Sequence, residues 1–313
     1  MTSRRLLVLA ERLLPALTLA LLLAAIFHQQ PRAMSYFGLN LLLNLAVPIV
    51  FATLAQMVVI AVNDLDLSIG AYVSLVACIG ATLLVQTPWL GVLALLGAVV
   101  LYAAVGALIA WRGLPSIVVT LGLSFVWLGL AVTVLPTPGG HAPAWLATTM
   151  GWKPPLAPLA LWIAAVVSLV GWFAVTRSSL GVVLRGAGGN ARSVARAGWS
   201  LMAIRVAVYA TAGILGLLSG LSLLGLTTSG DANIASRYTL ISIASVILGG
   251  ASFVGGRVFP VGAVLGAMTL TLAASFLTFM RISPDWQVGA QGLILIAVLA
   301  IRAVLARGKE AAP

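Results

Sequence analysis

Long apolar runs alternate with short polar junctions along nearly the whole chain. A helix needs about 20 consecutive, mostly apolar residues to cross the hydrocarbon core of a bilayer. Ten segments approach this requirement, and the shortest of them is 238–253. The segments are 8–28, 38–62, 68–86, 90–110, 116–135, 158–176, 201–226, 238–253, 258–280 and 288–305. The pattern therefore predicts an all-α, polytopic integral membrane protein with about ten transmembrane helices.

The basic side chains gather on one side of this arrangement. If an even number of spans places both termini in the cytoplasm, 13 of the 17 Lys and Arg residues lie inside. The remaining four are Arg32, Lys153, Arg237 and Arg281. Because cytoplasmic loops carry an excess of Lys and Arg, the sequence predicts an N-in and C-in topology. We expect residues 1–313 to form a single transmembrane domain.

Composition supports lipid as the solvent of this chain. Its residues are 62% hydrophobic and 7% charged, whereas soluble domains are about 25% charged. The net charge of +11 follows from the basic internal loops and does not predict a nucleic-acid partner. Cys78 is the single cysteine, and His28 and His141 lie in separate predicted outer loops. We therefore predict no catalytic residue, no metal site and no cofactor.

Two longer polar stretches interrupt the spans. Residues 136–158 hold six of the 14 prolines and predict an external loop or a short interfacial helix. Trp145 and Trp152 would lie there at the level of the lipid headgroups. Residues 177–200 form the longest and most basic internal loop.

The internal loop contains a short helical pattern, NARSVARAGW. Asn190 precedes it in the position of a helix cap. Arg192 and Arg196 share one face at a spacing of four residues. A second face carries only small apolar side chains, which are Ala191, Val194, Ala195 and Gly198. Such a small face suits close docking against another protein.

The junction AVNDLDLSIGAY places two of the six acidic residues, Asp64 and Asp66, between two apolar spans. Asp66 and Ser68 precede the next helix, where their oxygens could cap free backbone N–H groups. Alternatively, the broken helix lines a transport pathway or gate, because ionisable groups at membrane depth usually face a cavity or a partner. For Asp64 we expect an ion pair with Arg112 or Arg257.

A rival hypothesis makes the two aspartates part of a magnesium-dependent membrane transferase. Sites of that kind need several carboxylates, and Asp231 and Asp285 are single and predicted to lie outside. GASFVGGR has the glycine spacing of a phosphate loop but lacks the following Lys-Ser/Thr. GAGGNA follows a predicted transmembrane helix instead of a strand, so it fails the context of a dinucleotide site.

Four stretches in the same order resemble the membrane-spanning permease subunits of ABC importers for monosaccharides, the ribose/xylose-type family. They are LDLSIGAYVSL (65–75), LPSIVVTLGLSFVWLGLA (114–131), GVVLRGAGGNARSVARAGWS (181–200) and YTLISIASVILGGASFVGGR (238–257). The chain departs from the family pattern at 63–65, where Gly-Gly-Ile is usual, and at 257–260, where Gly-Gly-x-Gly usually continues. These departures leave the solute open, and also whether the chain pairs with itself or with a related permease.

The resemblance implies a subunit that forms the translocation pathway for a small solute, most simply a monosaccharide, across the bacterial inner membrane. It implies three partners: an ABC ATPase subunit that hydrolyses the ATP, a periplasmic substrate-binding protein, and a second permease. The loop at about 177–200 would be the coupling element on the ATPase. Its residues are Gly189, Asn190, Arg192, Ala195, Arg196 and Gly198. The related branched-chain amino acid permeases remain an alternative.

Polar side chains within or beside the spans are the candidates for the pathway or its gate. The principal ones are Asp64, Asp66, Ser68, Thr120, Ser124 and Trp127. Further polar positions are Asn44, Gln56, Asn233 and Ser245. Solute sites often combine hydrogen-bonding groups with aromatic faces, although Ser and Thr in membrane helices often bond only to neighbouring helices.

Overall fold

The computed structural model describes residues 2–252 and 255–283, together with a few single residues between 286 and 300. Side chains are described from residue 13 onward. The predicted span 288–305 lies almost entirely outside the described residues, and so does Asp285. Within the described ranges the chain forms helices, turns and one isolated β-bridge between Gly139 and Gly230.

The first half of the chain contains seven α-helices and one short 3-10 helix, Pro31–Met34. The α-helices are α1 (Thr2–Gln29), α2 (Tyr36–Asn44), α3 (Ala46–Ala61), α4 (Ile69–Ala81), α5 (Leu83–Gln86), α6 (Pro88–Arg112) and α7 (Ser116–Val134). Pro88 begins α6, at a position where a backbone N–H would have no partner within the helix. Gly113 ends α6 in the left-handed conformation with φ of 62°.

The second half of the described chain contains seven more α-helices and a π-helical turn, Phe173–Arg177. The α-helices are α8 (Ala144–Gly151), α9 (Leu159–Trp172), α10 (Ser179–Gly189), α11 (Ala191–Arg196), α12 (Leu201–Thr227), α13 (Tyr238–Leu248) and α14 (Pro260–Phe279). Side-chain oxygens of Ser178, Asn190 and Ser200 cap the starts of α10, α11 and α12.

Seven helical segments among the described residues are long and apolar enough to cross a membrane. They are Tyr36–Ala61, Ile69–Gln86, Pro88–Arg112, Ser116–Val134, Leu159–Arg177, Leu201–Thr227 and Pro260–Phe279. Each coincides with a predicted span. Two further apolar helices, Leu13–Gln29 and Tyr238–Leu248, are shorter. The prediction of a polytopic all-α membrane protein is confirmed at this level.

The helices pack around α12, which makes its largest contacts with α6, α3 and α4. Tyr72, Tyr102 and Tyr209 lie fully buried where these helices meet. Many large apolar side chains point away from the bundle, as at Val100 of α6 and Phe125 of α7, which are 67% and 68% exposed. An apolar outer surface of this kind is suited to lipid contact.

The bundle has two ends that are used below as points of reference. At the Asp64 end, the turn after α3 meets α10, Gly255 and Gly256. At the His141 end, the His141 N–H donates to the carbonyl of Ala81 (3.0 Å), and Gly139 pairs with Gly230. Residues 136–158 contain the short helix α8, and Trp145 and Trp152 are exposed there.

Candidate functional site

The break between α3 and α4 begins at Asn63, which ends α3 in the left-handed conformation with φ of 64°. Asn tolerates this conformation better than most residues that carry a side chain. The Asn63 N–H bonds to the Ile60 carbonyl (3.0 Å) and the Asp64 N–H to the Val59 carbonyl (3.3 Å). This paired arrangement is a Schellman motif, which closes a helix without leaving these N–H groups free.

Residues 62–68, which we call the junction, form no helical hydrogen bonds among themselves. Side chains of α7 bond to their backbone groups instead. The Leu65 N–H donates to Oγ of Ser116 (3.0 Å), and the Leu67 N–H donates to Oγ1 of Thr120 (3.0 Å). The Thr120 hydroxyl has two carbonyl acceptors within reach, Ser116 of its own helix at 2.8 Å and Leu65 of the junction at 3.3 Å. The first two turns of α7 therefore act as hydrogen-bonding partners for irregular backbone.

Helices α3 and α13 supply the next partners. With its amide oriented so that both groups are satisfied, Gln56 donates to the carbonyl of Asp66 (3.0 Å) and accepts from its N–H (3.2 Å). Thr239 of α13 accepts from the N–H of Gly70 (3.0 Å). Irregular backbone at membrane depth is tolerated only where protein groups or water satisfy it.

Asp66 lies at the centre of the junction and is 1% exposed. One carboxylate oxygen accepts from the N–H and from the hydroxyl of Ser68, both at 2.7 Å, and the other accepts from the hydroxyl of Tyr102. Each backbone N–H from Asp64 to Ser68 therefore has a partner. Tyr102 is ten residues from the end of α6 at Arg112, so the carboxylate lies roughly 15 Å from that helix end.

The predicted capping roles are thus divided between the two residues. Asp66 bonds a backbone N–H at the start of α4, as expected. Ser68 occupies the N-cap position of α4, but its hydroxyl donates to Asp66 and accepts from no N–H of the helix, so its predicted capping role is wrong. The carboxylate is the stronger acceptor of the two.

Three aromatic rings pack together beside the buried carboxylate, and one of them carries the Tyr102 hydroxyl that bonds to it. Tyr102 stacks on Trp127 with a centroid distance of 6.1 Å, and Tyr72 meets both rings at 4.7 and 5.4 Å. The hydroxyl of Tyr72 donates to the carbonyl of Gly213 on α12 (3.1 Å). The rings remove water from around Asp66, which strengthens its hydrogen bonds and makes an unpaired group there costly.

Asp64 forms the ion pair of the site, and its partner is Arg205 in the second turn of α12. The guanidinium contacts both carboxylate oxygens at 3.1 and 3.3 Å. The expected pairing with Arg112 or Arg257 is wrong. Burial raises the pKa of Asp64, which lies between the spanning helices, and the adjacent Arg205 opposes this rise.

We expect the loss of Arg205 to be more harmful than the loss of the whole pair. Arg205→Ala leaves a carboxyl group that is 6% exposed without its cation, which should lower the free energy of unfolding by about 3 kcal/mol. We place the value at the lower end of the range because the Arg205 side chain is 32% exposed. Titration with a denaturing detergent measures it.

Asp64→Asn combined with Arg205→Ala provides the matched comparison for that experiment. The double variant removes the charge that the single variant leaves unpaired, so it should recover part of the lost stability. Two results would contradict a structural ion pair. One is an Arg205→Ala variant as stable as the parent. The other is a double variant whose loss of stability equals the sum of the losses in Asp64→Asn and Arg205→Ala.

The Asp64 end also joins the junction to the internal loop. A Cβ on Gly188 of α10 would collide with the carbonyl oxygen of Ala61, the last residue of α3. That carbonyl accepts from the N–H of Gly256 (3.0 Å). Gly255 packs on Asn63 and has φ of 74°, a conformation that favours glycine. Two of the four resembling stretches, 181–200 and 238–257, therefore converge on the end of α3.

The predicted coupling residues lie at the exposed surface of α10, α11 and the following turn. Asn190 caps α11 by accepting from the Ser193 N–H (3.1 Å), as predicted. All six predicted coupling residues are exposed: Gly189, Asn190, Arg192, Ala195, Arg196 and Gly198. Val194 differs, because it is half-buried and packs near Gly186 of α10. The predicted small apolar face is thus partly turned toward the protein itself.

The structure gathers most of the pathway candidates in one place. Asp66, Ser68, Thr120 and Trp127 belong to the junction and its aromatic surround, and Asp64 lies beside them. Ser124 is separate, since its hydroxyl donates to the carbonyl of Leu121 in its own helix (2.6 Å). Sequence reasoning missed the partners Tyr102, Ser116, Arg205 and Thr239.

A helix broken inside a helical bundle, with an ionisable side chain held at the break, is a feature of many transport proteins. Comparison with known proteins assigns the family. Residues 38–299 match the family described as "Branched-chain amino acid transport system / permease component". The chain belongs to this family of transport permeases.

Three relatives match the chain over more than half of their own length. The ribose import permease protein RbsC of Escherichia coli (strain K12) is 28% identical over 291 residues, which cover 88% of each chain. The D-allose transport system permease protein AlsC of the same strain is 26% identical over 262 residues, 79% of this chain and 78% of that protein. The autoinducer 2 import system permease protein LsrC of Shigella flexneri is 31% identical over 204 residues, 62% of this chain and 57% of its own. No solved structure matches the chain.

Proposed function

We propose that this chain is the permease subunit of an ABC importer that carries a monosaccharide across the bacterial inner membrane. The similarity to a ribose import permease along 88% of both chains carries the proposal. An ABC ATPase subunit would hydrolyse the ATP, and a periplasmic substrate-binding protein would deliver the solute. A second copy, or a related permease, would complete the membrane core.

The sugar assignment is favoured over a branched-chain amino acid, although the family description names the latter. The relatives that match over most of this chain are named for ribose and allose. The transferase hypothesis is disfavoured by the protein's own contacts. Arg205 engages Asp64, while Tyr102 and Ser68 engage Asp66, so both carboxylates already have protein partners.

We place the Asp64 end in the cytoplasm, with both termini on that side and a tenth span at about 288–305. The exposed cations Arg192 and Arg196 then lie inside, as the charge bias of cytoplasmic loops requires. The ATPase would dock on α10 and α11. Because Gly188 contacts the end of α3, a displacement of α10 would be passed directly to the junction.

The coupling assignment is tested by capture of the ATPase from solubilised membranes with tagged chain. We expect the doubly substituted chain, Gly189→Arg with Ala195→Arg, to lose the ATPase. A Cβ on Gly189 has open space around it and Ala195 is exposed, so the substitutions block docking without disturbing the fold. The captured subunit is identified by mass spectrometry and by ATP hydrolysis in the eluate.

The control carries the same change at the opposite end of the bundle. Gly151 ends α8 as Gly189 ends α10, and a Cβ there also has open space. Gly151→Arg with Ala144→Arg should therefore retain the ATPase. A folded parent chain that captures no ATPase would refute the importer proposal, and equal capture by both variants would refute the assignment of the docking surface.

A further inference from the structure

The chain between α12 and α13 descends into the bundle without forming a helix. It leaves the His141 end at Gly230, where a Cβ would approach Ala81 and the carbonyl of Ala77. Farther down, the N–H of Ala235 donates to Oγ of Ser74 (3.0 Å). The carbonyls of Ala235 and Ser236 reach the level of Gly70, the second residue of α4.

Two helices give the depth that this segment reaches. Gly70 precedes the end of α4 at Ala81 by 11 residues, a rise of about 16 Å. On α12, Gly216 packs on Tyr72 near this level and precedes the helix end at Thr227 by 11 residues, again about 16 Å. The hydrocarbon core of a membrane is about 30 Å thick, so residues 235–237 lie near its middle.

Helix α13 covers the remaining distance. Its 11 residues, Tyr238–Leu248, rise about 16 Å and end close to the loop at the Asp64 end. One passage through the bundle is therefore built from seven irregular residues, 231–237, followed by a half-length helix. This division places Arg237, immediately before α13, far from both ends.

The side chains of Asn233, Ser236 and Arg237 are all exposed on the described bundle. Within the described part of the chain, the Arg237 guanidinium makes no ion pair and no side-chain hydrogen bond, unlike Arg205. A cation at a helix start also opposes the helix dipole. Arg237 therefore contributes to neither an ion pair nor a helix cap. The hydrophobic pattern predicts instead that it lies in an outer loop.

An exposed guanidinium at this depth would be costly against lipid, and ionisable groups in membrane proteins face a partner or a water-filled cavity. We propose that Asn233, Ser236 and Arg237 line the water-filled solute pathway. The guanidinium offers five N–H donors and no acceptor, so it favours solutes that present hydroxyl, carboxylate or phosphate oxygens. That this space carries the transported solute rests on the proposed function. That it is filled with water follows from the depth and exposure of Arg237.

Thiol labelling tests water access at this level. Ser236→Cys changes the side chain least and keeps Arg237, and Cys78→Ala removes the native, fully buried thiol. Val100→Cys in the same background is the control, because Val100 is 67% exposed near the middle of α6 but has an apolar surround. Labelling after denaturation normalises each variant.

In membrane vesicles, methanethiosulfonate reagents should label Ser236→Cys faster than Val100→Cys by about tenfold or more, because only the thiolate reacts and it forms in water. Equal slow labelling of the two positions would overturn the proposal. That result would leave the importer proposal standing, because capture of the ATPase tests it independently. A failure of capture would likewise leave the evidence for water at Ser236 unchanged. The two proposals therefore fail separately.

The charge of the pathway is tested with two reagents of opposite sign. The anionic ethylsulfonate reagent should react faster at Ser236→Cys than the cationic trimethylammonium reagent, when each rate is divided by its rate with free cysteine. Adding Arg237→Gln should remove this preference, because it removes the nearby positive charge. A preference that is absent from the start, or that survives Arg237→Gln, would overturn the recognition of acceptor oxygens by Arg237.

Discussion

Replacement of Asp66 by alanine is expected to lower the free energy of unfolding by about 3–5 kcal/mol. The substitution removes the carboxylate that accepts from three buried donors: the hydroxyl of Tyr102, and the hydroxyl and N–H of Ser68. The two hydroxyls lie 3.3 Å apart, so only one of them can donate to the other. These groups lie in the dry aromatic surround and cannot turn to water. A denaturing-detergent titration of the purified chain measures the loss.

Three further variants sharpen that experiment. Asp66→Asn keeps one acceptor oxygen and the shape of the side chain, so its loss should be smaller. Tyr102→Phe removes one donor and should cost about 1–2 kcal/mol. Asp231→Ala, which removes an acceptor for the exposed Asn233 N–H at the other end, should cost no more than about 1 kcal/mol. An Asp66→Ala variant no less stable than Asp231→Ala would show that the junction does not depend on its carboxylate.

The adjacent glycines Gly188 and Gly189 should respond in opposite ways to the same added methyl group. Gly188→Ala places a Cβ against the carbonyl oxygen of Ala61, where backbone must move to admit it. We expect a loss of about 1–3 kcal/mol, as for other overpacked sites. Gly189→Ala meets nothing within 4 Å and should raise stability by less than about 1 kcal/mol, because alanine is favoured over glycine in a helix.

The pair of variants separates close packing from helix propensity, since both residues lie at the end of α10. Thermal unfolding in detergent, followed by the helical signal, gives both midpoints. If Gly188→Ala unfolds at the temperature of Gly189→Ala, then α10 does not bear on the end of α3. The mechanical link from the internal loop to the junction would then lack its contact.

The hydrophobic pattern predicted most of the helices because lipid imposes a simple length rule on apolar segments. It failed at 238–253, where the observed helix is Tyr238–Leu248 and the preceding residues descend without helical structure. Hydropathy counts apolar side chains and does not register whether backbone is helical. Arg237 was consequently assigned to an outer loop, because a charge beside an apolar run was taken as its boundary.

The junction itself was recognised from the rarity of acidic residues, but its partners were not. Arg205 is 141 residues from Asp64, and it lies inside the apolar run of α12, where charge counting treated it as a loop residue. Tyr102 and Thr239 carry hydroxyls that sequence alone cannot assign to one backbone group. The tertiary fold decides which of many Ser, Thr and Tyr side chains meets the irregular backbone.

The half-length helix α13 has a consequence for the biogenesis of the protein. Its 11 residues are too few to cross the bilayer core, and the preceding Arg237 makes partition of residues 231–248 into lipid less favourable still. This segment is disfavoured as an independent insertion unit. The Ala235 N–H of this segment donates to Ser74 of α4, and Thr239 in turn accepts from the N–H of Gly70 at the start of α4. Correct assembly late in synthesis therefore depends on a helix made early.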